Sequence, residues 1–330
     1  MKMRWLLGLL VLSFSGCAKD APVSTPATED NAPPPLADKQ ETDTQATTNE
    51  VQEESPPAEV KGPGSLPSKV EGFSGPSAVV YDELLDRYLV SNSGPNPWNK
   101  EGKGYISAVD RKTGEVKEKW VDGAQEHVEL HAPRGMAFNG GILVVTDGAF
   151  IRFFDRKTGA HRGSFEVPGA SLLDGVAVAL DETIYVTDSA WKPDWSPARG
   201  SGIYMLNKGL AQPVLISDDL SHPGGLVIKD DVLWVASTKT AQLVAVDRTG
   251  KVKETIPVEG FGLRGLAIDS DGDFLISSSR NGTVLKGTPK NGFSAALKLS
   301  GASGGIGYDR KRNRLALPVV ESGHVEFPEL

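Results

Sequence analysis

Three charged residues of this sequence occupy the same position of a phrase that recurs along the chain. Arg134, Asp174 and Arg264 each come directly before a glycine that opens an apolar run, in PRGMAF, LDGVAVALD and LRGLAIDSD. Guanidinium and carboxylate groups that converge in a cleft can bind a polar ligand through charge-assisted hydrogen bonds. The same groups can also pair with one another and simply satisfy a partly buried channel. Both interpretations fit the sequence.

A second set of polar residues lies just before this phrase or at the end of the apolar run that follows it. Its members are Asn92, Asp147, Asp188, His131 and His222. Carboxylates and imidazoles are ligands for Ca²⁺ and Zn²⁺. A divalent-cation site built from Asp147, Asp174 and Asp188 with the two histidines is therefore an alternative, although no catalytic residue can be assigned from these residue types.

Three tryptophans stand in the two longest segments between apolar runs. Trp98 lies within 93–104, and Trp191 and Trp195 lie within 189–201. Aromatic side chains on loops either stack on a ligand or pack the loops against themselves, and the sequence favours neither interpretation.

The recurring phrase occurs six times, with its third residue at positions 78, 135, 175, 225, 265 and 305. Such spacing is typical of the blades of a β-propeller. Further runs of Val, Ile, Leu and Tyr follow each copy, bounded by Gly and Asp, as in strands joined by hairpins. The sequence therefore predicts an all-β fold over 67–330, a six-bladed β-propeller of four-stranded antiparallel blades. The last copy leaves chain for only three strands, so we expect 68–73 to add the outer strand and close the ring.

The predicted fold brings the chemistry-bearing residues together. In a propeller, the innermost strands begin, and the second strands end, on one face around a central channel. We therefore expect the charged residues, the second polar set and the tryptophan loops to share this face. A polar funnel under aromatic loops is typical of a site for a small molecule or a glycan, and a protein partner is an alternative ligand.

The repeated phrase resembles NHL repeats and the related gluconolactonase (senescence-marker-protein) propellers over essentially all of 67–330, most closely at 263–278. The resemblance implies the six-bladed fold and, for the gluconolactonase relatives, metal-dependent lactone hydrolysis with acidic or amide ligands before the innermost strands. Three of those ligand positions carry Ser74, Gly224 and Arg264 here, and a cation at Arg264 would repel a divalent metal. We expect a binding protein, with a lactone- or ester-hydrolysing enzyme that uses a rearranged site as the alternative.

A third interpretation comes from YISAVDRKTGEVKEKW at 105–120, which is similar to the repeat of PQQ-type propellers, a group that includes an outer-membrane assembly lipoprotein. It would make the chain an assembly scaffold. The tryptophan of this repeat is missing from the second copy, IRFFDRKTGAHRGSF, and six units rather than eight also count against it.

The N-terminus has the three parts of a secretory signal peptide over residues 1–17: Lys2 and Arg4, an apolar stretch over 5–14, and small residues before Cys17. Phe-Ser-Gly-Cys at 14–17 resembles the bacterial lipobox, which implies that Cys17 carries a diacylglycerol and an acyl chain such as palmitate. Several acyl chains make a durable membrane anchor. Because Ala18 follows the cysteine, the resemblance implies the outer membrane, facing the periplasm, and leaves the cell membrane and the cell surface open. Cys17 is the one cysteine of the chain, so no intramolecular disulfide can form.

Residues 18–66 form a Pro-, Thr- and Glu-rich linker without aromatic residues, which predicts a disordered tether. The linker carries −7 of the total net charge of −8. An acidic chain does not attract nucleic acid, so we expect no nucleic-acid partner. We expect a monomer whose partners are the membrane, reached through the lipid, and an unidentified small molecule, glycan or protein.

Overall fold

A computed structural model describes residues 66–98, 100–198 and 200–330 of the chain. The predicted signal peptide, Cys17 and the linker up to residue 65 lie outside the described residues. Within the described ranges, no helix has the length and apolar character needed to cross a membrane. One short 3₁₀ helix, Asp218–Leu220, precedes the fourth blade.

The described residues form six antiparallel sheets of four strands, the blades of a β-propeller, as the repeat predicts. Blade 1 contains β2 (Pro76–Asp82), β3 (Arg87–Asn92), β4 (Tyr105–Asp110) and β5 (Val116–Asp122) from the innermost strand outward. Blade 2 contains β6 (Pro133–Asn139), β7 (Ile142–Asp147), β8 (Phe150–Asp155) and β9 (His161–Glu166). Blade 3 contains β10 (Leu173–Val178), β11 (Ile184–Asp188), β12 (Gly202–Asn207) and β13 (Leu210–Ile216).

The remaining three blades follow in chain order. Blade 4 contains β14 (Pro223–Lys229), β15 (Val232–Ser237), β16 (Gln242–Asp247) and β17 (Val252–Pro257). Blade 5 contains β18 (Leu263–Ile268), β19 (Phe274–Ser278), β20 (Thr283–Thr288) and β21 (Gly292–Lys298). Blade 6 contains β22 (Gly307–Asp309), β23 (Arg314–Val319), β24 (His324–Glu326) and the N-terminal strand β1 (Lys69–Glu71).

Strand β1 closes the ring, which confirms the predicted role of this segment. It pairs antiparallel with β24, with Val70 opposite Val325. Leu66, which the sequence places in the linker, is only 3% exposed and belongs to the same buried cluster as Val70. The folded part therefore includes residue 66, one position earlier than predicted.

The hydrophobic core lies between neighbouring blades. One cluster joins Leu89 and Ile106 of blade 1 to Leu143 and Phe154 of blade 2, all of them fully buried. The second strand of blade 2 is buried along almost its whole length, whereas its outermost strand alternates between half-buried and exposed residues. This difference explains why the inner strands stand out as apolar runs in the sequence and the outermost strands do not.

Glycine is needed where the innermost strands of neighbouring blades come closest. A Cβ atom at Gly175 would lie 2.5 Å from the carbonyl oxygen of Gly224, and one at Gly225 would lie 2.6 Å from the carbonyl oxygen of Arg264. Because both obstacles are backbone atoms, they cannot rotate away as a side chain would. The repeated glycine therefore sets how closely the blades approach, and with it the spacing of the residues that precede each glycine.

Candidate functional site

The innermost strands begin around a pocket of ≈ 320 Å³ on one face of the propeller. Small-molecule sites typically have volumes of roughly 300–1,000 Å³. Five of the residues predicted from the sequence line this pocket together: Arg134, Asp174, Arg264, Trp191 and Trp195.

A β-bulge places the residue before each glycine at the channel. In blade 3, the pairing between β10 and β11 shifts between Leu173 and Val176, on either side of Asp174. The innermost strands of blades 1, 2, 4 and 5 carry the same irregularity. Because a bulge bends the strand and re-aims a side chain, Asp174 and its counterparts Arg134 and Arg264 point to the pocket instead of into the core between blades.

Threonine hydroxyls hold the innermost strands of adjacent blades in register. Oγ1 of Thr146 accepts a hydrogen bond from the backbone N–H of Gly135 in its own blade and donates one to the carbonyl oxygen of Asp174 in the next, both at 2.8 Å. Thr187 forms the corresponding pair of bonds one blade further on. Blade 4 has Ala236 at this position and lacks the bridge. In blades 1, 2, 3 and 5 the residue one before the end of the second strand carries a hydroxyl (Ser91, Thr146, Thr187 and Ser277), and this sequence pattern could have indicated the bridge.

The charged residues form a triad across the floor of the pocket. Nη2 of Arg134 donates to Oδ2 of Asp174 at 2.6 Å, and Nε of Arg134 donates to Oδ1 at 3.3 Å. Nη2 of Arg264 lies 3.6 Å from Oδ1 of Asp174. Asp174 is therefore shared unequally: it forms a two-point pair with Arg134 and only a longer ion pair with Arg264.

Asp174 and Arg264 are both charged at neutral pH. Burial raises the pKa of Asp174, but the neighbouring Arg134 and Arg264 outweigh it and hold this pKa below its usual value. Burial lowers the pKa of Arg264 to about 10, against the opposing effect of the Asp174 carboxylate. Among the described residues that line the pocket, no other carries a charge, so these lining residues together have a net charge of +1.

A smaller cavity of ≈ 70 Å³ continues along the channel between the innermost strands. Asp174 and Arg264 line both cavities. The two residues therefore form a polar floor between the open pocket and the narrow channel.

Trp191 and Trp195 form an aromatic wall at one side of the pocket, and Trp98, which does not line the pocket, packs against Trp195. Trp98 contacts Trp195 edge to face at 4.6 Å between ring centroids, and Trp195 contacts Trp191 at 6.2 Å. Trp191 stacks on the imidazole of His222 at 3.5 Å. Nδ1 of His222 donates to the carbonyl oxygen of Ser189 at 2.6 Å, which fixes the ring beneath Trp191. The loops of blades 1 and 3 thus meet through their aromatic side chains, and Trp195 remains 60% exposed.

The structure does not bring the polar residues at the ends of the second strands to the pocket. The carboxylate of Asp147 accepts the backbone N–H groups of His131 and Ala132 and pairs with buried Arg152 at 3.0 Å. Asp188 likewise accepts the N–H groups of 171 and 172, and Asn92 accepts the N–H of 74. These side chains hold the loop that leads into each innermost strand, which is a structural role.

The two histidines also lie apart from the pocket floor. Nδ1 of His131 accepts the backbone N–H of Gly102 at 3.0 Å, and His222 is buried beneath Trp191. Within the described ranges, no three His, Cys, Asp or Glu side chains come together as metal ligands. The divalent-cation site at Asp147, Asp174 and Asp188 stays a prediction whose ligands would have to leave their present partners.

Sequence reasoning missed several lining residues. Blades 4 to 6 contribute Thr238, Ser279 and Val320, and the blade 1 loop adds Pro95 and Pro97. Thr238 and Ser279 follow the second-strand ends directly, so the strand repeat could have indicated them.

The fold is similar to that of solved six-bladed propellers. A gluconolactonase from Xanthomonas campestris shares 18% identity with this chain, covering 78% of this chain and 88% of its own, with a TM-score of 0.60. A streptogramin B lyase shares 15% identity over 79% of this chain and 86% of its own, with a TM-score of 0.54. Virginiamycin B lyase from Staphylococcus aureus shares 12% identity over 79% and 87%, with a TM-score of 0.53.

No family model and no curated protein matches the sequence. At such low identity the structural likeness establishes the fold alone, and the function has to come from the site itself.

Proposed function

We propose that this protein binds a small molecule in the pocket of its central face. The observation that carries the proposal is the pocket of ≈ 320 Å³ that combines a charged floor, Arg134, Asp174 and Arg264, with an aromatic wall at Trp191 and Trp195. A few polar groups that converge beneath apolar walls are typical of ligand sites. Pairing of Arg134 with Asp174 satisfies part of the floor without closing the pocket.

A ligand screen on the purified full chain tests the proposal. We expect compounds that raise the melting temperature, because a ligand that binds only the folded state stabilises it. This shift should shrink in Trp195→Ala, which removes an exposed ring of the wall. Phe261→Ala is the matched control, since Phe261 is 71% exposed and does not line the pocket. If every stabilising compound acts equally on both variants, the ligand site lies elsewhere.

A second candidate function is hydrolysis of a lactone or ester, favoured by the fold likeness to a gluconolactonase. It would need Asp174, Asp188, His131 and His222 to rearrange into a metal site, because each of them now has another partner. Hydrolysis of gluconolactone by the full chain, with and without EDTA, separates the two proposals. Turnover that EDTA abolishes would favour the hydrolase, whereas turnover no faster than in buffer is what the binding proposal predicts.

We further propose that Cys17 anchors the protein in the bacterial outer membrane through its lipid. The support is the signal peptide and the lipobox-like Phe-Ser-Gly-Cys sequence. Cys17→Ser should move the protein from the membrane fraction to the soluble fraction and abolish incorporation of labelled palmitate. Unchanged fractionation and labelling would contradict the anchor.

A further inference from the structure

Each hydroxyl group around the pocket already donates its proton to a hydrogen bond within the protein. Ser93 Oγ donates to the carbonyl oxygen of Pro133 at 2.5 Å, and Ser77 pairs with Ser93 at 2.7 Å. The corresponding bonds of the other three hydroxyls, from Ser189, Thr238 and Ser279, run to carbonyl oxygens at 2.9, 2.9 and 3.0 Å. Since each hydroxyl has one proton to donate, these side chains offer the pocket only lone pairs.

Among the charged and hydroxyl-bearing side chains of the pocket, the available hydrogen-bond donors are therefore concentrated on the arginines, and chiefly on Arg264. Arg134 already directs two of its nitrogens at Asp174. Among the described residues, Nε of Arg264 is buried without a hydrogen-bond partner, and its Nη2 lies 3.6 Å from the nearest oxygen of Asp174. A guanidinium whose hydrogen-bonding capacity is only partly used is costly to bury, so Arg264 is the part of the pocket that gains most from a ligand.

We propose that the pocket selects small organic monoanions, with the anionic group bound by Arg264 and an attached apolar ring packed against Trp195. This inference rests on the proposed function and names the chemical class of its ligand. Asp174 compensates one of the two arginines, so one negative charge neutralises the pocket. A carboxylate also fits the planar donor face of a guanidinium, and the exposed Trp195 ring supplies apolar area above the floor.

A matched series of ligands tests the selectivity on the full chain. The probes are 2-naphthoate, 2-naphthamide and 2-naphthylmethylammonium, which share one ring system and carry charges of −1, 0 and +1. Calorimetric titration should give a Kd for naphthoate at least about tenfold lower than the Kd for the amide, because a charge-assisted hydrogen bond contributes about this factor to affinity. The ammonium should bind more weakly still. This comparison uses the natural chain and stays decisive if a variant fails to fold.

Three variants locate the effect. Arg264→Gln should remove the preference for naphthoate over naphthamide, whereas Arg310→Gln, the same change of charge at an exposed turn outside the pocket, should preserve it. Asp174→Asn raises the pocket charge to +2 and should tighten naphthoate binding. A preference that survives Arg264→Gln would overturn the proposal.

The outcomes separate this inference from the proposed function. If all three probes bind with equal affinity and Trp195→Ala weakens them alike, the pocket binds small molecules without selecting anions, and only the inference is wrong. If no probe binds, or if binding is indifferent to Trp195→Ala, the inference and the assignment of the pocket fail together.

Discussion

Gly175→Ala tests whether close contact between innermost strands determines the stability of the propeller. The new methyl group would lie 2.5 Å from the carbonyl oxygen of Gly224, 2.9 Å from the backbone nitrogen of Leu226 and 3.1 Å from Oγ1 of Thr187. Two of these obstacles are backbone atoms of the neighbouring blade. Relief would therefore require blades 3 and 4 to separate.

Overpacking of this kind typically lowers the free energy of unfolding by about 1–3 kcal/mol. Alanine also restricts the unfolded chain more than glycine does, which raises the free energy of unfolding by about 0.4–1 kcal/mol. We expect Gly175→Ala to lower the free energy of unfolding by about 2 kcal/mol, measured by urea titration with an unchanged m-value. Gly141→Ala is the matched control, because no atom lies within 4 Å of its Cβ position and its φ is not left-handed. That variant should be neutral or more stable by up to about 1 kcal/mol. Equal stability of the two variants would refute the reasoning.

Three further predictions concern single interactions. Thr187→Val removes two buried hydrogen bonds, to Gly175 and Gly224, and should lower the free energy of unfolding by about 1–3 kcal/mol in urea titration; no loss would mean that the bridge is dispensable. Pairing with the arginines lowers the pKa of Asp174 in the folded protein. The Asp174 carboxylate therefore stabilises the fold above pH about 3.9, the pKa of an aspartate in the unfolded chain, and this stabilisation is lost as the pH falls through the lower pKa of the folded state. Asp174→Asn should therefore be less stable than the natural chain at pH 7, and the difference should narrow below about pH 4; a constant difference would contradict the pairing. Leu66→Ala should cost about 2 kcal/mol, whereas no change in the unfolding curve would place Leu66 outside the fold.

The fold was predictable because each blade repeats the same physical requirement. Gly135, Gly175, Gly225 and Gly265 recur at a fixed place because a Cβ atom there would lie only 2.2–2.6 Å from a backbone oxygen of the next blade. The missing outer strand of blade 6 could be assigned to 68–73 because an open ring would leave an unpaired edge. The convergence of Arg134, Asp174 and Arg264 follows from the same repeat.

The roles of the other polar residues could not be predicted, because the repeat gives a position and not a hydrogen-bond partner. Asp147 and Asp174 are both carboxylates next to the channel, yet only Asp174 lines the pocket. Asp147 turns to the loop that precedes its own blade and to Arg152, which stands in a different strand. The contact of Trp98 with Trp195 depends on two loops that follow no repeat.

The charge of Arg264 bears on both functions proposed for the central face. A divalent cation on the pocket floor would need carboxylates, but among the described lining residues Asp174 is the one carboxylate, and two guanidinium groups already hold it. A metal would have to displace both arginines, and Arg264 would still lie close enough to repel it. An anion, in contrast, could pair with Arg264, whose charge Asp174 compensates only in part. It would not need to break the pair between Arg134 and Asp174. The charge arrangement of this pocket therefore favours the binding of an anion over metal-dependent hydrolysis.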